Sequence, residues 1–269
     1  MKIFLIVIGA LIALLVLVVI GLKITPGPLP AYAGRAGEIS TTPIPAGLPA
    51  PVERFYRTLY GTELPVYTSA VISARAPMRI NGLTLPGRIR FTHDAGSGYR
   101  HYIELTCFGI PIMKINERYL DGTGVMELPF GTFAGPKIDQ GANLGLWAET
   151  VWMPSVWVTD PRTRWEPVDG ETAILSVPFD RGEQSFVIRF DPDTGLVSHM
   201  ESMRYKGEEA EKKTLWLNIA YRWEELDGRL TLTQAALTWL DEGSPWAVFN
   251  LDGIVYNSDV SEYIRATGL

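Results

Sequence analysis

Residues 185–205, SFVIRFDPDTGLVSHMESMRY, decide the fold. Ser185 to Phe190 and Val197 to Tyr205 are strand-length runs. Asp191-Pro192-Asp193-Thr194-Gly195 between them is turn chemistry: proline presets φ, Asp and Thr bond their own backbone, and glycine accepts positive φ. A strand, an acidic turn and a second strand make an antiparallel pair. The pattern repeats on either side. Thr172 to Val177, Thr214 to Trp223, Arg229 to Leu240 and Ala247 to Tyr256 are further strand candidates. Asp180-Arg181-Gly182, Asp227-Gly228 and Asp241-Glu242-Gly243 separate strand candidates, and the mixed-sign run Lys206 to Lys213 reads as a solvated hairpin loop. Upstream, period-two patterning begins at Val66. Arg88 to Thr92, Tyr99 to Cys107 and Ile110 to Ile115 alternate or run apolar, with turns at Asn81-Gly82, Asp94 to Gly98 and Asp121-Gly122. Turns spaced by roughly ten residues predict one continuous antiparallel sheet, a sandwich or a barrel, within one domain.

Two stretches break the strand series. Ala50 to Tyr60 places Val52, Phe55, Tyr56 and Leu59 at helical spacing, opened by Pro51 and closed by Gly61. A second helix is predicted from about Ile138 to Val151, on the stripe Leu144, Trp147, Ala148 and Val151, limited by Pro154. Between Gln140 and Thr159 the one charged residue is Glu149, set among Trp147, Trp152 and Trp157. A carboxylate in such surroundings is either paired, with Arg88, Arg90 or Arg189 as candidate partners, or it faces a ligand. Candidate ligand-binding residues are therefore Glu149, Trp147 and Trp152, with Trp165 and Asp169 from the following segment.

The amino-terminal region is of another kind. Ile3 to Leu22 is an uninterrupted apolar run bracketed by Lys2 and Lys23. As a helix rising about 1.5 Å per residue it matches the roughly 30 Å hydrocarbon core. It is longer than a signal-peptide core, so residues 1–23 read as an uncleaved anchor, although Ala31-Tyr32-Ala33 has the small-x-small form of a cleavage site. Flanking charge is nearly balanced. A long domain after a lone anchor is commonly exported, so the expected location is the cell membrane, single-pass, with the large domain extracytoplasmic. Residues 24–49 carry prolines at 26, 28, 30, 43, 45 and 49 and read as an extended spacer. Residues 50–269 are the domain, with a helical insert at about 138–157.

Composition excludes several classes. The chain has 24 basic and 30 acidic residues, a net charge of −6 and no basic cluster, which argues against nucleic acid as a partner. A single cysteine, Cys107, rules out an internal disulfide and a multi-cysteine zinc site. His93 and His101 flank one turn, but with Cys107 they lack a convincing third ligand, so no metal site is expected. There is no G-x-S-x-G elbow, and Gly122-Thr123-Gly124 lacks the lysine and following helix of a phosphate loop. No catalytic residue and no cofactor is assigned.

Leu48-Pro-Ala-Pro-Val-Glu-Arg-Phe-Tyr56, Tyr119-Leu-Asp-Gly-Thr-Gly124, the run from Gly141 to Pro154, and Trp165-Glu-Pro-Val-Asp169 resemble an uncharacterised bacterial family of membrane-anchored proteins of unknown function. The run FDPDTGLVSHMESMRYKGEE from Phe190 to Glu209 is similar to the lipoprotein-localisation-factor class, LolA and LolB. That likeness implies an unclosed antiparallel barrel with a helix on its concave side and a cavity for acyl chains. The expected fold is therefore mainly β with α: a single sheet curled into an unclosed barrel, the 138–157 insert on its concave side, and one transmembrane helix before it. The expected function is a membrane-tethered envelope protein that binds a hydrophobic or acylated ligand. The alternatives are an envelope hydrolase using Glu149 as acid or base, and a structural envelope protein without ligand.

Overall fold

The computed structural model describes residues 1–80 and 82–268. Helix α1 spans Lys2–Gly21 and α2 spans Ala50–Tyr60. Short strands β1 (Thr41–Pro43) and β2 (Glu63–Pro65) pair with each other. A meander follows: β3 (Ser69–Ile80), β4 (Leu83–Asp94), β5 (Gly98–Cys107), β6 (Ile110–Leu120), β7 (Thr123–Leu128) and β8 (Gly131–Ala134). Helix α3 (Pro136–Glu149), a 3-10 turn (Thr150–Trp152) and the single-turn α4 (Val156–Thr159) interrupt it. The second meander comprises β9 (Arg164–Pro167), β10 (Thr172–Phe179), β11 (Gly182–Phe190), β12 (Val197–Arg204), β13 (Thr214–Leu226), β14 (Arg229–Trp239) and β15 (Pro245–Tyr256).

Among the described residues β3 to β15 form one thirteen-stranded antiparallel sheet, in the order β8-β7-β6-β5-β4-β3-β15-β14-β13-β12-β11-β10-β9. The Asp-Gly turns behave as their chemistry requires. Asp121 and Gly122 (φ 53° and 81°) and Asp227 and Gly228 (φ 51° and 75°) hold the paired positive φ of tight hairpins. Gly82 has φ 80°, while Asn81 of that turn lies outside the described residues.

The expected curl of the unclosed sheet into a barrel is not what forms. The sheet is open, with β8 and β9 as its edges and no pairing between them. Each edge strand has only four residues. One stops at Gly135-Pro136 and the other at Pro167, so neither offers a ladder long enough to close on the other.

Helix α3 packs against strands of both meanders, and its small and amide residues explain how. Gly124 on β7 lets it approach: a Cβ there would stand 3.0 Å from the Ala142 side chain. The buried amides are satisfied rather than stranded. Gln140 donates to the Met203 carbonyl at 2.9 Å and accepts from the Tyr205 N–H at 3.2 Å. Asn143 accepts from the Tyr119 hydroxyl at 3.1 Å and donates to the Pro178 carbonyl and the Gln184 side chain. These amides, together with Asp139, which accepts from the Gly124 N–H at 2.6 Å, help fix the helix in register. The core continues to α2, where buried Phe55 meets Trp157, Phe190 and Trp223.

Every residue of α1 is exposed except Gly21. That glycine meets the β5–β6 hairpin: the Phe108 N–H donates to its carbonyl at 2.9 Å, and a Cβ would stand 2.5 Å from Cys107 Sγ and the Phe108 ring. The proline-rich segment touches the body at Tyr32 and Gly37. The Tyr32 hydroxyl donates to the Asp259 carbonyl at 3.1 Å, and the Gly37 N–H to the Tyr256 carbonyl at 3.1 Å.

Candidate functional site

Strand parity builds the site. His93 on β4 stands opposite Tyr99 on β5, and Phe91 opposite His101, so the two histidines lie diagonally on one face. Glu149, the last residue of α3, comes down over them. Its Oε2 is 2.8 Å from His93 Nε2 and 2.7 Å from His101 Nε2. His101 is stacked on Tyr99 (3.9 Å between centroids, 15° between planes) and tilted against Phe91 (4.2 Å). Glu117 on β6 stands opposite His101, with Oε2 3.8 Å from its Nδ1, and accepts from the Tyr99 hydroxyl. Both histidines are buried, whereas the Glu149 side chain keeps 16 % exposure.

Burial disfavours charge on each of these groups, and the outcome depends on neighbours. Burial pushes the Glu149 carboxyl up, but the His101 charge and the hydrogen bonds from both histidines outweigh it and hold it at about 2. Burial likewise pushes His101 down, and the carboxylates of Glu149 and Glu117 on either side raise it to about 9. His93 faces Glu149 with no second carboxylate, and burial wins: its pKa is lowered. Glu117 is raised by burial and lowered more strongly by His101, Tyr99 and Arg204, ending below its ordinary value. At neutral pH the cluster is thus two carboxylates, one imidazolium and one neutral imidazole.

The two histidines act on stability with opposite signs. His101, with its folded pKa raised, contributes stability that is full below about 6.5 and is lost as pH rises through about 9. His93, with its folded pKa lowered, contributes stability above its unfolded value of about 6.5, lost as pH falls below it. In chelator-treated protein, stability is expected to peak near neutrality and to fall by roughly 2–3 kcal/mol between pH 7 and pH 9. Denaturation midpoints in that window check this, and a flat profile for wild type would contradict it. A His101→Gln variant should remove the alkaline fall.

The sequence candidates take different places. Glu149 is the centre of the cluster. The Trp147 indole is fully buried, and its carbonyl accepts from Thr150 Oγ1 and from Trp157 Nε1 at 3.0 Å. Trp152 donates to the Leu232 carbonyl at 2.9 Å and lines an apolar cavity beside Glu149. Trp165 donates to the Trp157 carbonyl and packs on Phe190, within the same core. Asp169 is not brought to this site: its carboxylate accepts from the Glu171 N–H in an exposed turn after β9. Cys107 sits at the far end of β5 beside Gly21. The expected arginine partners are engaged elsewhere, Arg88 with Glu104, Arg189 with Glu201 and Arg90 with the Pro30 carbonyl. Glu149 supplies the third donor atom that His93 and His101 lack along the sequence. His93, His101 and Glu149 offer donor atoms all within 4.8 Å of one another, a grouping that could hold a metal ion.

The cavity beside Glu149 is lined by Phe91, Val151, Trp152, Leu232, Ala236 and Phe249, among others. Its volume is about 40 Å³, and its walls are almost wholly apolar.

These features define a class: a chain with one helix, among the described residues, long and apolar enough to cross a membrane, and an open antiparallel sheet carrying a buried His–Glu cluster under a helical insert. The chain belongs to a family of unknown function, DUF6544, whose model matches residues 38–251. No curated protein matches it. Among solved structures it is similar to a LolA superfamily protein from Nitrosomonas europaea, at 12 % identity and TM-score 0.48, over 82 % of this chain and 99 % of that one. It is also similar to a DUF1329 family protein from Desulfovibrio piger, at 16 % identity and TM-score 0.44, over 73 % and 89 % of the two chains. An outer membrane lipoprotein-sorting protein domain from Vibrio parahaemolyticus is similar at 11 % identity and TM-score 0.41, over 79 % and 92 %.

Proposed function

We propose that this is a single-pass envelope protein with its β body outside the cytoplasm, and that it takes an apolar or acylated molecule from the bilayer into the space between the helical insert and the sheet. The observation that carries the reading is the apolar cavity beside Glu149. In its closed form it holds about 40 Å³, well short of the roughly 300–1,000 Å³ of small-molecule sites. Occupation therefore requires Val151 and Trp152 to swing off the sheet. They lie on the 3-10 turn where the helix breaks, ahead of Pro154, and the movement gives up the Trp152 indole bond to the Leu232 carbonyl and the Tyr256 hydroxyl bond to the Trp152 carbonyl.

The rim of the body supports the same reading. Leu83, Phe108, Ile110 and Ile112 all stand in solvent. The β3–β4 and β5–β6 hairpins that carry them turn at one end of the sheet, the end that meets Gly21 of α1. Apolar side chains beside the end of a membrane-spanning helix fall at the level of the lipid interface, where their exposure costs little.

Native mass spectrometry of the full chain, extracted from membranes in mild detergent, tests this. Wild type is expected to retain phospholipid or free acyl chains, and an Ala236→Phe variant, which fills the cavity, to lose most of them. Wild type that carries no lipid, and takes none back after delipidation, would remove the proposal.

A further inference from the structure

We propose that His93, His101 and Glu149 bind one divalent first-row metal ion, zinc by donor type, with a fourth coordination position turned toward the apolar cavity. This goes beyond the ligand reading above and does not depend on it.

Three separate elements, β4, β5 and the end of α3, each send one nitrogen or oxygen donor to the same point. Both histidines present Nε2 to that point. Two imidazoles and one carboxylate with a free position form a ligand set used by zinc in three-ligand sites. The present contacts of 2.7 and 2.8 Å are hydrogen bonds. Ligand bonds of about 2.0–2.1 Å in tetrahedral array would set the donors roughly 3.3 Å apart, so the cluster must open by about half an ångström. Glu149 permits that movement. It ends its helix, precedes a 3-10 turn and keeps one side open, whereas the histidines are locked in the sheet.

His101 has a carboxylate on the side away from the proposed ion, 3.8 Å from its Nδ1, close enough to take up the Nδ1 proton as a hydrogen bond after a small shift. Glu117 lies behind its Nδ1, and Glu117 is in turn held by the Tyr99 hydroxyl. A carboxylate behind a ligating histidine fixes the ring and raises its basicity. Ligation needs Nε2 of both histidines as a lone pair, so any proton held there passes to solvent on binding. A divalent cation at this point would also offset the charge of the Glu149 and Glu117 carboxylates on either side of His101. The donor set contains no thiolate, so softer monovalent copper is disfavoured.

Isothermal titration of ZnCl₂ into chelator-treated full-length protein in detergent, with CoCl₂ for visible spectra, tests the site. The expected result is one ion per chain, a four- or five-coordinate cobalt spectrum, and a higher melting temperature with zinc. A His93→Gln, His101→Gln double variant should lose at least a hundredfold in affinity, and His199→Gln should lose none. Glu117→Gln, which changes a positioning residue, should lose about 10–100-fold while keeping the same cobalt spectrum. Wild type that binds no stoichiometric zinc, or zinc bound equally by the double variant, would overturn the proposal. If the double variant fails to fold, the cobalt spectrum and stoichiometry of wild type still decide it.

Discussion

Replacing Glu149 by alanine is expected to destabilise the chelator-treated protein by about 3–5 kcal/mol, the usual effect of removing one partner of a buried ion pair. The loss is large because the carboxylate serves two donors at once. Its removal leaves Nε2 of both His93 and His101 facing an apolar space, with no oxygen to accept from either. It also removes the main cause of the raised His101 pKa, so His101 should titrate lower in the variant. Glu149→Gln keeps an acceptor oxygen and should cost less. For a body of this size the alanine variant corresponds to a fall of roughly 6–20 °C in melting temperature. Urea denaturation of wild type and both variants in one detergent measures it. A change under 1 kcal/mol for alanine would mean that the cluster is not a buried ion pair in solution.

The second large effect is expected at Trp157. Its side chain is completely buried, and it lies where three elements meet. The indole N–H donates to the Trp147 carbonyl at the end of α3. Its ring packs on Phe55 of α2 and edge-on against Trp165 of β9. Trp157→Ala should cost about 3–5 kcal/mol through the lost contacts and the cavity left behind. It should also increase hydrogen exchange in α2 and the 150–159 segment before the rest of the sheet. Trp157→Phe retains most of the volume and should cost clearly less. A uniform increase in exchange across the sheet would argue against the localised role.

Much of the fold was legible because local chemistry dictates it. Pro51 and Gly61 bracket α2 as their backbone preferences require, and the Asp-Gly pairs turn hairpins at 121–122 and 227–228. The helical insert interrupts the strands where the periodicity changes. That the sheet lies open rather than curled into a half-barrel was not legible, because curl depends on packing across all thirteen strands, and the four-residue edges β8 and β9 carry almost no period-two signal. The cluster was half legible. His93 and His101 share odd-numbered parity with Ile89 and Phe91, which face the core, whereas Arg88 and Arg90 have the opposite parity and could not reach Glu149. That reasoning excludes two of the three arginines from sequence alone. What it could not supply is that a carboxylate 48 residues beyond His101 comes down over that face, since only the packing of α3 brings them together.

The strand order has a kinetic consequence. Each meander is built from neighbouring hairpins, so its contacts are local in the chain and can form early. The exception is the junction where β3 meets β15, pairing Ala70 with Tyr256 and Ala74 with Leu251 across most of the sequence. That closure must wait until the last strand has been synthesised. Until then the β3 edge is an unsatisfied template, the point at which a nascent chain is most open to pairing with a neighbour or to capture by a chaperone.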